Sequence, residues 1–136
     1  MKTYNLFLSH SWTYSNHYEN LINLLNKRPY FSFNDHSVPK NDPVHDADND
    51  AQLRQAIKNH MRGCHVILIV AGVYATYSKW INIEIDIAKN GFANPKPIIA
   101  IKPWGNVNVS KPVADAADEL VGWNTESIVA AIRKHG

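Results

Sequence analysis

The stretch from Cys64 to Ala71 reads Cys-His-Val-Ile-Leu-Ile-Val-Ala. It is apolar at nearly every position, and this constrains the fold more than any other feature. A strand with one wet face alternates polar and apolar residues; a strand without alternation needs cover on both faces. Such cover comes from helices above and below a sheet, reached by crossover connections. The rest of the chain supplies them. Tyr4 to Ser9 reads as a buried strand, and Asn16 to Lys27 carries Tyr18, Leu21, Ile22, Leu24 and Leu25 at helical spacing, ended by Pro29. Tyr30 to Phe33 reads as a brief strand, and Asn34 to Asp50 as a long loop with Pro39 and Pro43. Asp48 to Asp50 offers N-cap chemistry for a helix through Met61, with Gly63 as its stop. A helix around Tyr77 to Ala88 stops at Gly91, a strand covers Pro97 to Ile101, and Ser110 to Asp118 is polar and small with no element expected. Leu120 to Trp123 gives a short last strand, and Asn124 or Thr125 caps a final helix with Ile128, Val129 and Ile132 on one side. Strand and helix alternate roughly five times. That order predicts an α/β three-layer sandwich: a central parallel sheet of about five strands with helices on both faces.

The 136 residues suit one domain over 1–136, with enough chain for a real core. Hydrophobic content of 45% and charged content of 19% are ordinary for a globular protein. The net charge of +2 and the absence of any Lys/Arg run argue against nucleic acid as a partner. A single cysteine, Cys64, excludes an internal disulfide framework and suits a reducing compartment. The first residues, Met-Lys-Thr-Tyr-Asn-Leu-Phe-Leu-Ser, have a short apolar core and no small-residue cleavage site, unlike a signal peptide. The longest apolar run, Val66 to Gly72, is far below the ~20 residues that cross a bilayer. A cytoplasmic protein without membrane contact is expected.

The residue that carries chemistry in this reading is Glu84. Stepped at about 100° per residue, the helix around it puts Trp80, Ile81, Ile83, Ile87 and Ala88 on one apolar arc and Lys79, Asn82, Asp86 and Lys89 on the other. Glu84 falls near the middle of the apolar arc. A carboxylate there must be paired, protonated or in a cleft. A structural partner such as a buried Arg or Lys is one outcome; a functional site is the other. In a parallel sheet the site lies beyond the carboxyl ends of the strands. Ser9, His10, Asn34, Asp35, Gly72 and Trp104 all follow expected strand ends, near the start of the Glu84 helix.

Several motifs are missing. No G-x-G-x-x-G, Walker-type G-x-x-x-x-G-K-[ST] or G-x-S-x-G occurs. Ser9, His10 and Ser11 are adjacent, and consecutive side chains diverge, so they make no Ser–His dyad by themselves. Asp46, Asp48 and Asp50 mimic the start of a calcium loop, but Ala51 stands where glycine is needed and Ile57 where glutamate is needed. The seven histidines show no zinc spacing, so no metal is expected.

Taken together, the motifs resemble those of a TIR domain. Tyr4-Asn-Leu-Phe-Leu-Ser-His-Ser11 resembles its first strand, and Phe31-Ser-Phe-Asn-Asp-His-Ser-Val-Pro39 its second strand and following loop. Val66 to Gly72, with Ser78-Lys-Trp-Ile-Asn-Ile-Glu84, resembles the third strand and the W-x-x-x-E segment of catalytic members. Pro97 to Gly105 resembles the fourth strand. The chain is similar in particular to the bacterial TIR-like group that includes the sensor proteins of Thoeris anti-phage defence. The resemblance implies a flavodoxin-like fold and cleavage of the nicotinamide–ribose bond of NAD, which is substrate rather than cofactor, releasing ADP-ribose or a cyclic ADP-ribose signal. It implies Glu84 as the catalytic glutamate and Ser9, His10, Phe33, Asp35, Ser78 and Trp80 as the substrate-binding set. Trp12 or Trp104 is a further candidate for stacking on a ring. Where many members carry a basic residue in the first loop, this chain has His10-Ser-Trp-Thr-Tyr, so His10 and main-chain N–H groups are the candidates for the phosphates. It further implies self-association through the 34–50 loop and a phage-protein trigger.

The chemistry agrees. Loss of a pyridinium needs no acid at the leaving group; it needs stabilisation of an oxocarbenium-like sugar, which a desolvated carboxylate provides. Two other readings stand beside it. In one, the chain is a non-catalytic assembly module and Glu84 is structural. In the other, it is a nucleoside deoxyribosyltransferase-like enzyme with Glu84 as covalent nucleophile, although the first loop lacks a tyrosine-led pattern.

Overall fold

The computed structural model describes residues 2–9, 16–36, 50–70, 74–102 and 111–136, with the backbone alone for 16–18, 50, 70 and 74–80. Five strands and five helices alternate along these segments. The strands are β1 (Thr3–Leu8), β2 (Ser32–Asp35), β3 (Val66–Val70), β4 (Ile98–Ile101) and β5 (Glu119–Val121). The helices are α1 (Asn16–Asn26), α2 (Asp50–Met61), α3 (Tyr74–Asn90), α4 (Lys111–Ala116) and α5 (Thr125–His135). All neighbouring strands are parallel, in the order β2-β1-β3-β4-β5. The expected parallel sheet with helices on both faces is therefore present, in a flavodoxin-like arrangement. The chain runs outward one way through β1 and β2, then returns to β3 on the other side of β1. The topological switch point thus lies between β1 and β3.

Side-chain alternation along the strands builds two cores. Phe7, Ile67, Ile69, Ile98 and Ala100 face α2, α3 and α4, where they meet Leu53, Ile57, Met61, Ile81, Ile87 and Val113. Leu6, Leu8, Val66, Leu68, Ile99 and Ile101 face α1 and α5, where they meet Leu21, Leu25, Ile128 and Ile132. The apolar run of β3 is thus divided between the two faces, which is why it shows no polar–apolar alternation. Each such side chain contributes about 1.5–3 kcal/mol by leaving water.

The element limits differ from the sequence expectation in two places. Strand β2 spans Ser32–Asp35 rather than 30–33. Tyr30 has φ 59, a left-handed conformation that does not propagate a strand. Asn34 and Asp35 consequently lie within the ladder, opposite Asn5 and Leu6, not in the loop after it. Helix α4 occupies part of the stretch for which no element was expected. It buries one residue, Val113, and a single anchor leaves no periodicity to read. Helix α3 starts at Tyr74, earlier than its apolar pattern does. The stops at Gly63 and Gly91 are not left-handed caps, since no described glycine has a positive φ. Gly91 instead answers a close approach: a Cβ there would lie 2.7 Å from the Ile87 carbonyl oxygen. Asn124 caps α5 as expected, with extended backbone and its side-chain oxygen accepting from the Ser127 N–H at 2.8 Å.

Candidate active site

Ser9 is the first residue beyond β1. Its backbone N–H donates to the Leu68 carbonyl at 2.9 Å, so the β1–β3 pairing runs on to the very end of the strand. Two positions after Phe7, Ser9 points to the same side of the sheet, toward α3. Glu84 comes from α3, where Ile81, Ile83, Ile87 and Ala88 are buried around it. The two side chains meet: the Ser9 hydroxyl donates to Glu84 Oε1 at 2.7 Å. Both residues have 0% exposure, and among the described residues they are the buried polar ones. Burial of a carboxylate is costly unless hydrogen bonds replace its water, and a short hydroxyl bond is a strong replacement.

The other site candidates divide into three groups. Asp35 ends β2 opposite Leu6, three residues short of Ser9, or about 10 Å along the strand direction. Phe33 lies opposite Tyr4, lower still, and packs in the α1/α5 core with its ring 5.8 Å from that of Phe31. That is the sheet face away from Glu84. Phe33 and Asp35 instead line a hollow of about 490 Å³ between α1 and β2, with Glu19, Ile22, Asn23 and Asn34. The two-residue shift of β2 explains the placement of Asp35: expected just beyond a strand end, it became part of the strand. Ser78 and Trp80 belong to α3, and the helix sets position 80 one turn before Glu84, but their side chains lie outside the described residues. His10, Trp12, Gly72 and Trp104 also lie outside them, as does most of the 34–50 loop.

The contact that sequence reasoning did not draw is the Ser9–Glu84 bond itself, across 75 residues. The available signal was chemical: a carboxylate centred on an apolar face needs a partner, and a serine at the end of an apolar strand offers a hydroxyl.

A different polar cluster occupies the amino end of the same strand pair. The Asn5 N–H donates to His65 Nδ1 at 2.8 Å, and the His65 N–H donates to the Asn5 carbonyl at 2.7 Å. Lys96 Nζ donates to the carbonyls of Cys64 at 2.9 Å and Arg62 at 3.1 Å, and lies 4.6 Å from the Phe92 ring centre. Burial pushes the Cys64 thiol up to about 12, so it is a packing residue and not a nucleophile. Burial, then the charges of Lys2, Lys96 and His36, lower His65 below its ordinary value of 6.5. Burial also lowers Lys96.

The fold and this constellation define a class: a flavodoxin-like α/β domain with a buried carboxylate at the β1/β3 switch point. The match to the model of the Thoeris protein ThsB TIR-like domain, over residues 7–108, narrows the class, and the chain belongs to that family. The match runs from within β1 past β4 and includes Ser9 and Glu84. The TIR resemblance read from the strand motifs is therefore borne out. A search among curated proteins finds no match to this chain. No helix among the described residues is long and apolar enough to cross a membrane.

Proposed function

We propose that this protein is an NAD-consuming enzyme of Thoeris-type anti-phage defence, which cleaves the nicotinamide–ribose bond and releases ADP-ribose or a cyclic ADP-ribose signal. One observation carries the reading: a fully buried carboxylate, Glu84, held by a serine hydroxyl at the switch point of a parallel sheet. A carboxylate kept from bulk water interacts strongly with a developing positive charge. In the proposed reaction the C1–N bond breaks, nicotinamide leaves as a neutral base, and Glu84 stabilises the oxocarbenium-like ribose. Water or a ribose or adenine nucleophile of the same molecule then attacks C1; the first route gives hydrolysis and the second cyclisation. His10, Ser78, Trp80 and Asp35 remain candidates for holding the dinucleotide, and self-association through residues 34–50 and a phage-protein trigger belong to the same proposal.

The test is incubation of the purified protein with NAD, with and without lysate of phage-infected cells, followed by chromatographic identification of products. Wild type should consume NAD under at least one of these conditions, and Glu84→Gln should not, with its circular dichroism unchanged. Turnover that survives in the folded variant removes Glu84 from the chemistry.

The burial of Glu84 favours a second reading. A carboxylate at 0% exposure, bonded to a serine anchored in the sheet, also suits a structural tie inside a non-catalytic assembly module. Absence of any NAD product under every condition, triggered or not, selects that reading.

A further inference from the structure

The Ser9–Glu84 contact says more than that a buried carboxylate is satisfied. Glutamate has three side-chain torsions, and its last, at the carboxylate, is broad and soft. Left to itself, the carboxylate samples several planes; oxocarbenium stabilisation needs one. Rate depends steeply on such alignment. The partner that restricts it here is unusually well fixed. Serine has one heavy-atom torsion, and the Ser9 backbone is tied to β3 through its N–H and the Leu68 carbonyl at 2.9 Å. The hydroxyl's place is therefore set by the central strand pair. Glu84 in turn rides on a helix whose Ile83 and Ile87 are 5% and 4% exposed, clamped in the α2/α3/α4 core. Two rigid elements thus meet through one bond of 2.7 Å, within the range of strong O–H···O contacts.

We propose that Ser9 is a positioning residue for Glu84: its hydroxyl holds Oε1 and so sets the plane in which the carboxylate meets the sugar. This role differs from contact with substrate, and it rests on the NAD-cleaving function proposed above. A residue that binds substrate should act on KM. A residue that sets the plane of the reacting carboxylate should act on kcat. A serine that merely satisfies a buried group should act on stability alone.

The experiment compares Ser9→Ala, Ser9→Thr and Glu84→Gln in the NAD assay and by carbon NMR. Protein labelled with 13C at glutamate side-chain carboxyls gives a Glu84 signal, assigned by its loss in Glu84→Gln. In Ser9→Ala, kcat should fall about 10- to 100-fold, the worth of one hydrogen bond to a charged group, with KM changed less than about 3-fold. The Glu84 signal should move at constant pH. Ser9→Thr, which restores a hydroxyl, should return both toward wild type. Should Ser9→Ala fail to fold, Ser9→Cys, a weak donor of similar shape, takes its place with the same expectation. An unmoved carbon signal overturns the proposal, as does a wild-type kcat or an effect confined to KM. A wild-type protein inert toward NAD under every condition sinks the functional reading instead. The carbon signal then decides alone whether the hydroxyl orients the carboxylate.

Discussion

The two ends of the β1–β3 pair satisfy their polar groups by different means, half-buried at one end and fully buried at the other. At the amino end the partners are main chain: Asn5 N–H for His65, and the Cys64 and Arg62 carbonyls for Lys96. At the carboxyl end the bond runs from one side chain to another, Ser9 to Glu84. A main-chain partner exists whatever the neighbouring residues are, so such a cluster asks only for correct folding. A pair of side chains must be supplied twice, from elements 75 residues apart. It also sets an acid group where apolar residues would fill the space at lower cost. Polar groups closed on the main chain act as a brace; a carboxylate closed on a hydroxyl is the arrangement that the proposed chemistry needs.

The largest expected effect tests the carboxyl end. Glu84→Gln keeps an acceptor for the Ser9 hydroxyl and removes the charge. NAD consumption should fall at least about 100- to 1,000-fold while the melting temperature moves by only a few degrees, as read by chromatography and calorimetry. A large drop in melting temperature with activity per folded molecule retained would erase the contrast between the ends.

Phe7 sits between the two ends and is fully buried. Phe7→Ala should cost about 3–5 kcal/mol in urea unfolding through lost burial and a residual cavity. Lys96→Met tests the amino end. It removes two hydrogen bonds to carbonyls and the charge near Phe92, and should cost about 1–2 kcal/mol in the same assay. It should leave NAD consumption at the wild-type level; a loss of turnover would join the two ends into one functional unit.

The smallest effect concerns His65. Its folded-state value lies below the ordinary 6.5, so between the two values the unfolded chain binds more protons. Its contribution to stability is thus fully present above the unfolded value and is lost as pH falls through it toward the folded one. Unfolding free energy measured from pH 7.5 down to pH 5 should decline less steeply in His65→Gln than in wild type. Lys2, Lys96 and His36, whose charges lower His65, should each reduce the slope when neutralised.

Much of this arrangement was legible in the chain, for identifiable reasons. Residues 66–70 announced a doubly covered strand because both neighbouring layers demand apolar side chains. Glu84 stood out because helical periodicity gives its position a meaning that composition does not. The limits of β2 were not legible: Tyr30 and Phe31 have strand-like chemistry, and only the left-handed turn at Tyr30 delays the strand. That delay carried Phe33 and Asp35 away from the level of Ser9. Helix α4 was hidden because Val113 is its single buried residue. The Ser9–Glu84 bond left only a chemical hint, a buried acid in need of a donor, since no local pattern encodes which residue tertiary packing brings to it.

The strand order has a temporal consequence. A ribosome issues Ser9 before β3, which anchors its backbone, and before α3, which brings the acid. No shorter nascent chain can contain the pair. The acid and its hydroxyl therefore first become neighbours when the middle of the sheet closes, and the pair cannot form ahead of the fold that buries it.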